Sequence, residues 1–248
     1  MKTAFILWQR QLRKYLRTPS RIIGTLGQPL FFLLALGYGF GEVFRQAGQG
    51  DYLQFLSPGV VAMSILFTAI FGGIEVIWDK QFGFLKETLV APVSRFQIFL
   101  GRTLGGATVA VLQGVIVIVL SMLFGFRPEF GWSLLLAFLF MLLMGILFTA
   151  LGTGIASIIE DMQGFQIIMQ FLVMPMFFLS GAMFPIAGLP KLLSYIVHAN
   201  PMTYCVDAIR GLLTATNHFP LWLDFTFAGA TALLFLVIGS YLFERIKA

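Results

Sequence analysis

Residues 132–158 read WSLLLAFLFMLLMGILFTALGTGIASI, with no charged side chain among them. A helix rises about 1.5 Å per residue, so this run is long enough to cross a bilayer core of about 30 Å. Outward from it in both directions, similar apolar runs recur near 22–40, 55–77, 103–124, 165–184 and 221–243. Of the 248 residues, 58% are hydrophobic and 11% are charged, whereas a soluble domain carries about 25% charged residues. Lipid is therefore the main solvent. The expected fold is an all-α polytopic membrane protein, one domain over 1–248 with six transmembrane helices.

The charges that remain are unevenly placed. With a cytoplasmic N-terminus, the inner segments hold Lys2, Arg10, Arg13, Lys14, Arg17, Arg21, Lys80, Lys86, Arg95, Arg102, Arg245 and Lys247, and the outer loops hold Arg45, Arg127, Lys191 and Arg210. Lys and Arg collect on the cytoplasmic side of membrane proteins, so both termini are expected in the cytosol. The net charge of +5 is then a topology signal, with membrane lipids rather than nucleic acid as its partner. A single cysteine, Cys205, excludes an internal disulfide framework and a Cys-rich metal site, and His198 and His218 leave little for a metal centre. A basic segment before an apolar one also fits a cleaved leader. The apolar stretch is long enough to span, so cleavage is not expected.

Three segments are not simple spans. Residues 4–17, AFILWQRQLRKYLR, set Phe5, Trp8, Leu12, Tyr15 and Leu16 on one side and Gln9, Arg10, Arg13, Lys14 and Arg17 on the other. Such a pattern predicts an amphipathic helix over 4–18 in the cytoplasmic interface, its cations towards anionic headgroups, or a plain topology anchor. Between spans two and three lies FLKETLVAPVSR, 84–95; Phe82 just before it shares a helical face with Leu85 and Leu89 until Pro92 stops the helix. Residues 185–220 are too apolar for a free loop, and Pro190, Pro201 and Pro220 cut them into pieces too short to cross. Two short helices, near 190–197 and 201–213, fit a re-entrant or capping segment. An eight-span chain is the alternative.

Two stretches resemble a known family. WDKQFGFLKETLVAPVSRFQIFLGRTLGGATVAVLQG, 78–114, looks like the signature region of ABC-2 type transporter permeases, close to the daunorubicin-resistance and multidrug-export subgroup. FLSGAMFPIAGLPKLLSYIVHANPMTYCVDAIRGLL, 178–213, resembles the same family, where an FPI…LP step leads to NP and then D..RG. The resemblance implies one half of an exporter, a subunit that dimerises, as a homodimer by expectation, and pairs with two separate ATP-binding subunits. It implies a coupling helix over about 83–91 that seats in a groove on the ATPase. Phe84, Leu85, Lys86, Glu87, Leu89 and Pro92 would form this contact. It also implies short outer re-entrant helices closing the pathway, with Pro185, Pro190, Asn200, Pro201, Asp207 and Arg210 as gate residues. The sequence has no G-x-x-x-x-G-K-[ST], the loop that cradles nucleotide phosphates. ATP and Mg are thus expected on the partner, with no cofactor and no catalysis in this chain.

Cargo is read only as a class. Phe- and Met-rich walls suit a lipophilic or amphiphilic drug, lipid or lipid-linked glycan moved out of a prokaryotic cell across its inner membrane. A secondary transporter or channel without an ATPase is the alternative; such carriers need polar groups near the midplane, and the span centres are almost wholly apolar. A serine protease built on Ser180 and His198 lacks the glycine two residues before the serine. Among single residues, Glu75 reads either as a functional carboxylate near the cytoplasmic end of span two or as a structural charge paired with Lys80, and Asp207 is expected to pair with Arg210. Arg95 and Arg102 are expected to meet lipid headgroups. Glu160 and Asp161 are placed to cap the following helix, Pro175 to kink span five, and Gly101 and Gly105 to permit close helix packing.

Overall fold

In the computed structural model, residues 2–46, 50–84, 93–186 and 188–246 are described, and they are helical with no β-strand among them. Helix α1 is Lys2–Leu16 and α2 starts at Pro19–Phe31. Pro29 removes one backbone donor from α2, which then passes through a π-helical turn, Phe32–Leu36, to Gly37–Gly39. The short α3, Gly41–Gln46, precedes α4, Tyr52–Phe71, and α5, Ile74–Gln81. There follow α6, Arg95–Leu123, and α7, Trp132–Ile158. Then come α8, Met162–Phe178, and α9, Lys191–Ala199. The last are α10, Pro201–Thr214, and α11, Leu221–Glu244.

Five helical stretches are long and apolar enough to cross a membrane: Ile22–Gly39, Tyr52–Gln81, Arg95–Leu123, Trp132–Ile158 and Leu221–Glu244. The apolar α8 is shorter, at 17 residues. The second stretch is the centre of the bundle: 72% of the residues in its 18-residue apolar window are buried, against 17% in those of the first and the last. It packs on α6, α7 and α10 through Leu56, Val60, Ile65 and Leu66. Large apolar side chains such as Leu123, Trp132 and Phe171 point outward, as a lipid-facing surface requires.

Small residues set how closely these helices approach. Where α4 breaks at Gly72–Gly73, a Cβ on Gly73 would lie 2.4 Å from the Gly152 carbonyl oxygen of α7, and one on Gly152 would lie 2.5 Å from the Ile70 carbonyl oxygen. The spacing of Gly101 and Gly105 does serve close packing, and the partner is α1. A Cβ at Gly101 would sit 2.8 Å from the Ala4 carbonyl oxygen, and one at Gly105 2.7 Å from the Gln11 Cβ.

That docking revises the reading of α1. Tyr15 is only 3% exposed and its hydroxyl donates to Gln113 Oε1 at 2.6 Å, while Trp8 Nε1 donates to Thr108 Oγ1 at 2.9 Å. The Trp8 and Tyr15 side of the helix therefore meets α6 rather than lipid. Arg10, Arg13 and Arg17 remain exposed, with Phe5, Ile6 and Leu16. Replacing Gly101 with leucine should lift α1 from this notch. Overpacking of this kind costs about 1–3 kcal/mol. Cys205 is buried, so a cysteine placed at Tyr15 gives a clean readout. Its labelling rate is expected to rise in the Gly101→Leu background, by roughly tenfold or more.

Candidate functional site

At the α1 end of the bundle, charges on the three helices α1, α5 and α6 are tied together. Lys14 pairs with Glu75 at 3.3 Å, and Arg102, almost wholly buried, pairs with Asp79. Lys80 was expected to pair with Glu75. Instead its Nζ donates to the carbonyls of Ala156, Ser157 and Ile159 at 2.9, 2.7 and 3.1 Å, closing the end of α7, where helical carbonyls lack intrahelical partners. Arg95 does the same for α11 by donating to the Glu244 and Ile246 carbonyls. Neither Arg95 nor Arg102 is thus a free headgroup ligand, and Lys14 is not a plain interfacial anchor. Asp161 caps α8, accepting from the Gly164 N–H at 2.6 Å. Glu160 contributes its carbonyl, to Gln81.

Helix α5 ends beside this cluster and leads to Phe84, which is exposed. Leu85, Lys86, Glu87, Leu89 and Pro92 lie outside the described residues. The chain resumes at Val93, where Ser94 caps α6 by accepting from the Gln97 N–H.

The far end of the bundle is built from 179–220. Asn200 sits between α9 and α10; its Oδ1 accepts from the Met202 N–H at 3.0 Å, and its Nδ2 donates to the Met176 carbonyl at 2.6 Å. One side chain thus starts α10 and satisfies a carbonyl left over at the end of α8. Pro190 precedes α9, and Pro201 is the first residue of α10, where its missing N–H costs nothing.

The D..RG motif has a different logic from the ion pair expected of it. Asp207 and Arg210 do not pair directly, because each is taken by backbone. Asp207, 3% exposed, accepts from the His218 N–H at 2.8 Å and the Phe219 N–H at 2.7 Å. Arg210 faces the other way, and its Nη2 donates to the Gly181 carbonyl at 2.9 Å and lies 3.4 Å from those of Ala182 and Phe55. Its guanidinium carbon rests 4.0 Å from the Phe55 ring centre. Gly211 leaves room for the returning loop, since a Cβ there would lie 2.7 Å from the Asn217 Cβ. Burial lowers the Arg210 pKa to about 10, with Asp207 opposing the shift, so the group stays cationic at neutral pH.

These residues enclose an open cavity of about 540 Å³, lined by Arg210, Asp207, Ser180, Pro185 and Arg127 among others. Ser180 is no nucleophile here: its hydroxyl donates to the Phe177 carbonyl, and His198 Nδ1 lies 2.6 Å from the Ser194 carbonyl oxygen. A second groove, about 290 Å³, runs between α2, α4 and α8. Gln28, Gln166 and Gln170 line it beside Phe67, Phe71 and Met169. Helix α8 buries only the stripe Phe165, Met169, Val173 and Phe177, with Pro175 inside it, and exposes Ile167, Ile168 and Phe171.

The model of the ABC-2 type transporter family matches residues 3–214. The chain belongs to that family. Among its relatives is ycf38 of Cyanophora paradoxa, whose name describes it as a transport permease. It is 28% identical over 98% of this chain and 88% of its own length. Nodulation protein J of Rhizobium leguminosarum bv. trifolii is 28% identical over 84% of this chain and 79% of its own length. The daunorubicin resistance ABC transporter permease protein DrrB1 of Streptomyces coeruleorubidus is 28% identical over 86% of this chain and 75% of its length. This ABC-2 protein is thus a multi-pass membrane transporter permease.

Sequence reasoning passed over one residue of this ABC-2 chain. Asp224, in the first turn of α11, is fully buried, and neither carboxylate oxygen has a hydrogen-bond partner among the described residues. Its signal was visible as the lone acidic residue inside an otherwise apolar span, 221–243.

Proposed function

We propose that this chain is the permease subunit of an ATP-driven exporter that moves a lipophilic or amphiphilic substrate out of the cytoplasm or inner leaflet. Six crossings, with α8 as the fifth, put both termini and the α1 end in the cytosol of a prokaryotic cell. Residues 83–91 seat in a separate P-loop ATPase, which binds ATP and Mg, and two such pairs make the working dimer. The observation carrying this reading is the groove between α2, α4 and α8. Three glutamines at membrane depth are costly against lipid tails, and such groups belong against water or another protein surface. A second copy facing the groove would enclose a passage with polar points on Phe and Met walls, adaptable enough for varied apolar cargo. The Lys14–Glu75 and Asp79–Arg102 pairs support a rigid lever at the cytosolic end, so that force on 83–91 reaches α1, α5 and α6 together.

Asp224 favours the rival reading, since an ion-coupled carrier needs such a buried acid. One experiment separates the two. The purified chain should hydrolyse no ATP alone, and should stimulate hydrolysis when co-purified with its P-loop partner in liposomes. Asp224→Asn should leave ATP-dependent transport within about twofold of the parent, as the carboxylate has no hydrogen bond among the described residues to lose. Transport by the bare chain down an ion gradient, abolished in Asp224→Asn, would establish the carrier instead.

A further inference from the structure

The cavity at the far end holds a cation with bonding capacity left over. Arg210 is 9% exposed, yet its Nε is buried without a partner and its Nη1 has no acceptor among the described residues. A guanidinium presents five N–H donors in a fixed fork; here Nη2 is spent on backbone carbonyls and the Phe55 ring supports one face. The carboxylates around the cavity are placed differently. Asp207 is held by two backbone N–H groups, Asp51 caps α4 by accepting from the Leu53 N–H, and Glu129 lies exposed at the rim. Arg127, also at the rim and exposed, has no carboxylate within ion-pair distance among the described residues. Two guanidiniums therefore border one cavity, one deep and one at the mouth, and neither is neutralised by direct pairing.

We propose that this cavity is a binding site for an oxyanion, a phosphate or carboxylate carried by an amphiphile, with Arg210 as the deep contact and Arg127 as the guiding one. With Nη2 engaged by backbone, Nη1 is the donor left to an oxyanion, and its charge-assisted bond is strengthened in a partly desolvated site. The volume, about 540 Å³, falls in the range of small-molecule sites and exceeds what a bare ion needs. Phe55, Pro185 and Ile186 supply apolar wall for a chain or ring attached to the anion. The inference rests on the cavity alone and holds whether transport is driven by ATP or by an ion.

The test is binding to the full chain in nanodiscs, with dodecyl phosphate as probe and dodecyl maltoside as the uncharged control. In phosphatidylcholine discs, dodecyl phosphate is expected to bind at least tenfold more tightly than the control. Arg127→Gln, at an exposed position that leaves folding alone, should weaken binding by about tenfold, the scale of one charge-assisted bond. Arg210→Lys keeps the charge but loses the fork, and should weaken it further. Discs containing phosphatidylglycerol separate the sources: competition with the probe that Arg127→Gln relieves assigns the site to lipid headgroups, and no competition assigns it to a soluble or exported amphiphile. Equal affinity for the two probes, or unchanged binding in Arg127→Gln with Arg210→Lys folded, would overturn the proposal.

Discussion

Gly152→Leu should leave almost no correctly folded protein in the membrane, whereas Gly24→Ala and Gly27→Ala should be silent. At Gly152 the obstacle is backbone: the new Cβ would meet the Ile70 carbonyl at 2.5 Å, and the facing Gly73 is equally constrained by the Gly152 carbonyl. A flexible side chain can swing aside, but a carbonyl in a packed helix cannot, so α4 and α7 must separate. Overpacking costs about 1–3 kcal/mol where the core can relax, and this crossing, next to the most buried span, has little room to do so. The folded fraction should fall by roughly a hundredfold or more. At Gly24 and Gly27 a Cβ meets nothing within 4 Å. Monodisperse yield after detergent extraction measures both outcomes. Normal yield from Gly152→Leu would show that the two helices do not approach as described.

Asp207→Ala has the second largest expected effect. It strips the acceptor from the His218 and Phe219 N–H groups at a position only 3% exposed. Each charge-assisted bond contributes about 1.5–3 kcal/mol, and buried donors left without partners keep their desolvation cost. A loss of about 3–5 kcal/mol is expected, read as a drop in Tm and as new protease cleavage near residue 218. Asp207→Asn, which retains one acceptor oxygen, should lose about half as much. If Arg210 were the true partner of Asp207, removing either charge would cost the same and the loop would stay protected in both variants.

What the sequence made legible were the features fixed by local pattern. Apolar run length gave the helical membrane class, and two motif regions gave the family. The partners of the charges were not legible. Counting Lys and Arg by side treats them as interchangeable headgroup ligands, but Lys80 and Arg95 cap helices 76 and 149 residues away, and Arg102 meets Asp79 across 23. Helical periodicity carries no information at such separations. Asp207 and Arg210 show the opposite failure: spacing placed them within reach, and backbone groups from two loops outbid the pairing. Gln166 and Gln170, four apart, share a face of α8 by spacing alone, but only packing brings Gln28 of α2 to that side.

Helix α8 is the shortest of the long apolar helices, and its length has a consequence for the surrounding lipid. Seventeen residues rise about 25 Å, several ångströms less than a typical hydrocarbon core. Were it the fifth crossing, as proposed, it would pinch the bilayer into a local dimple, on the same flank that carries the glutamines. Thinned membrane is under elastic stress, relieved when two such flanks meet and exclude the lipid between them. Bilayer thickness would then act as an assembly force on this protein, stronger in thick membranes than in thin ones.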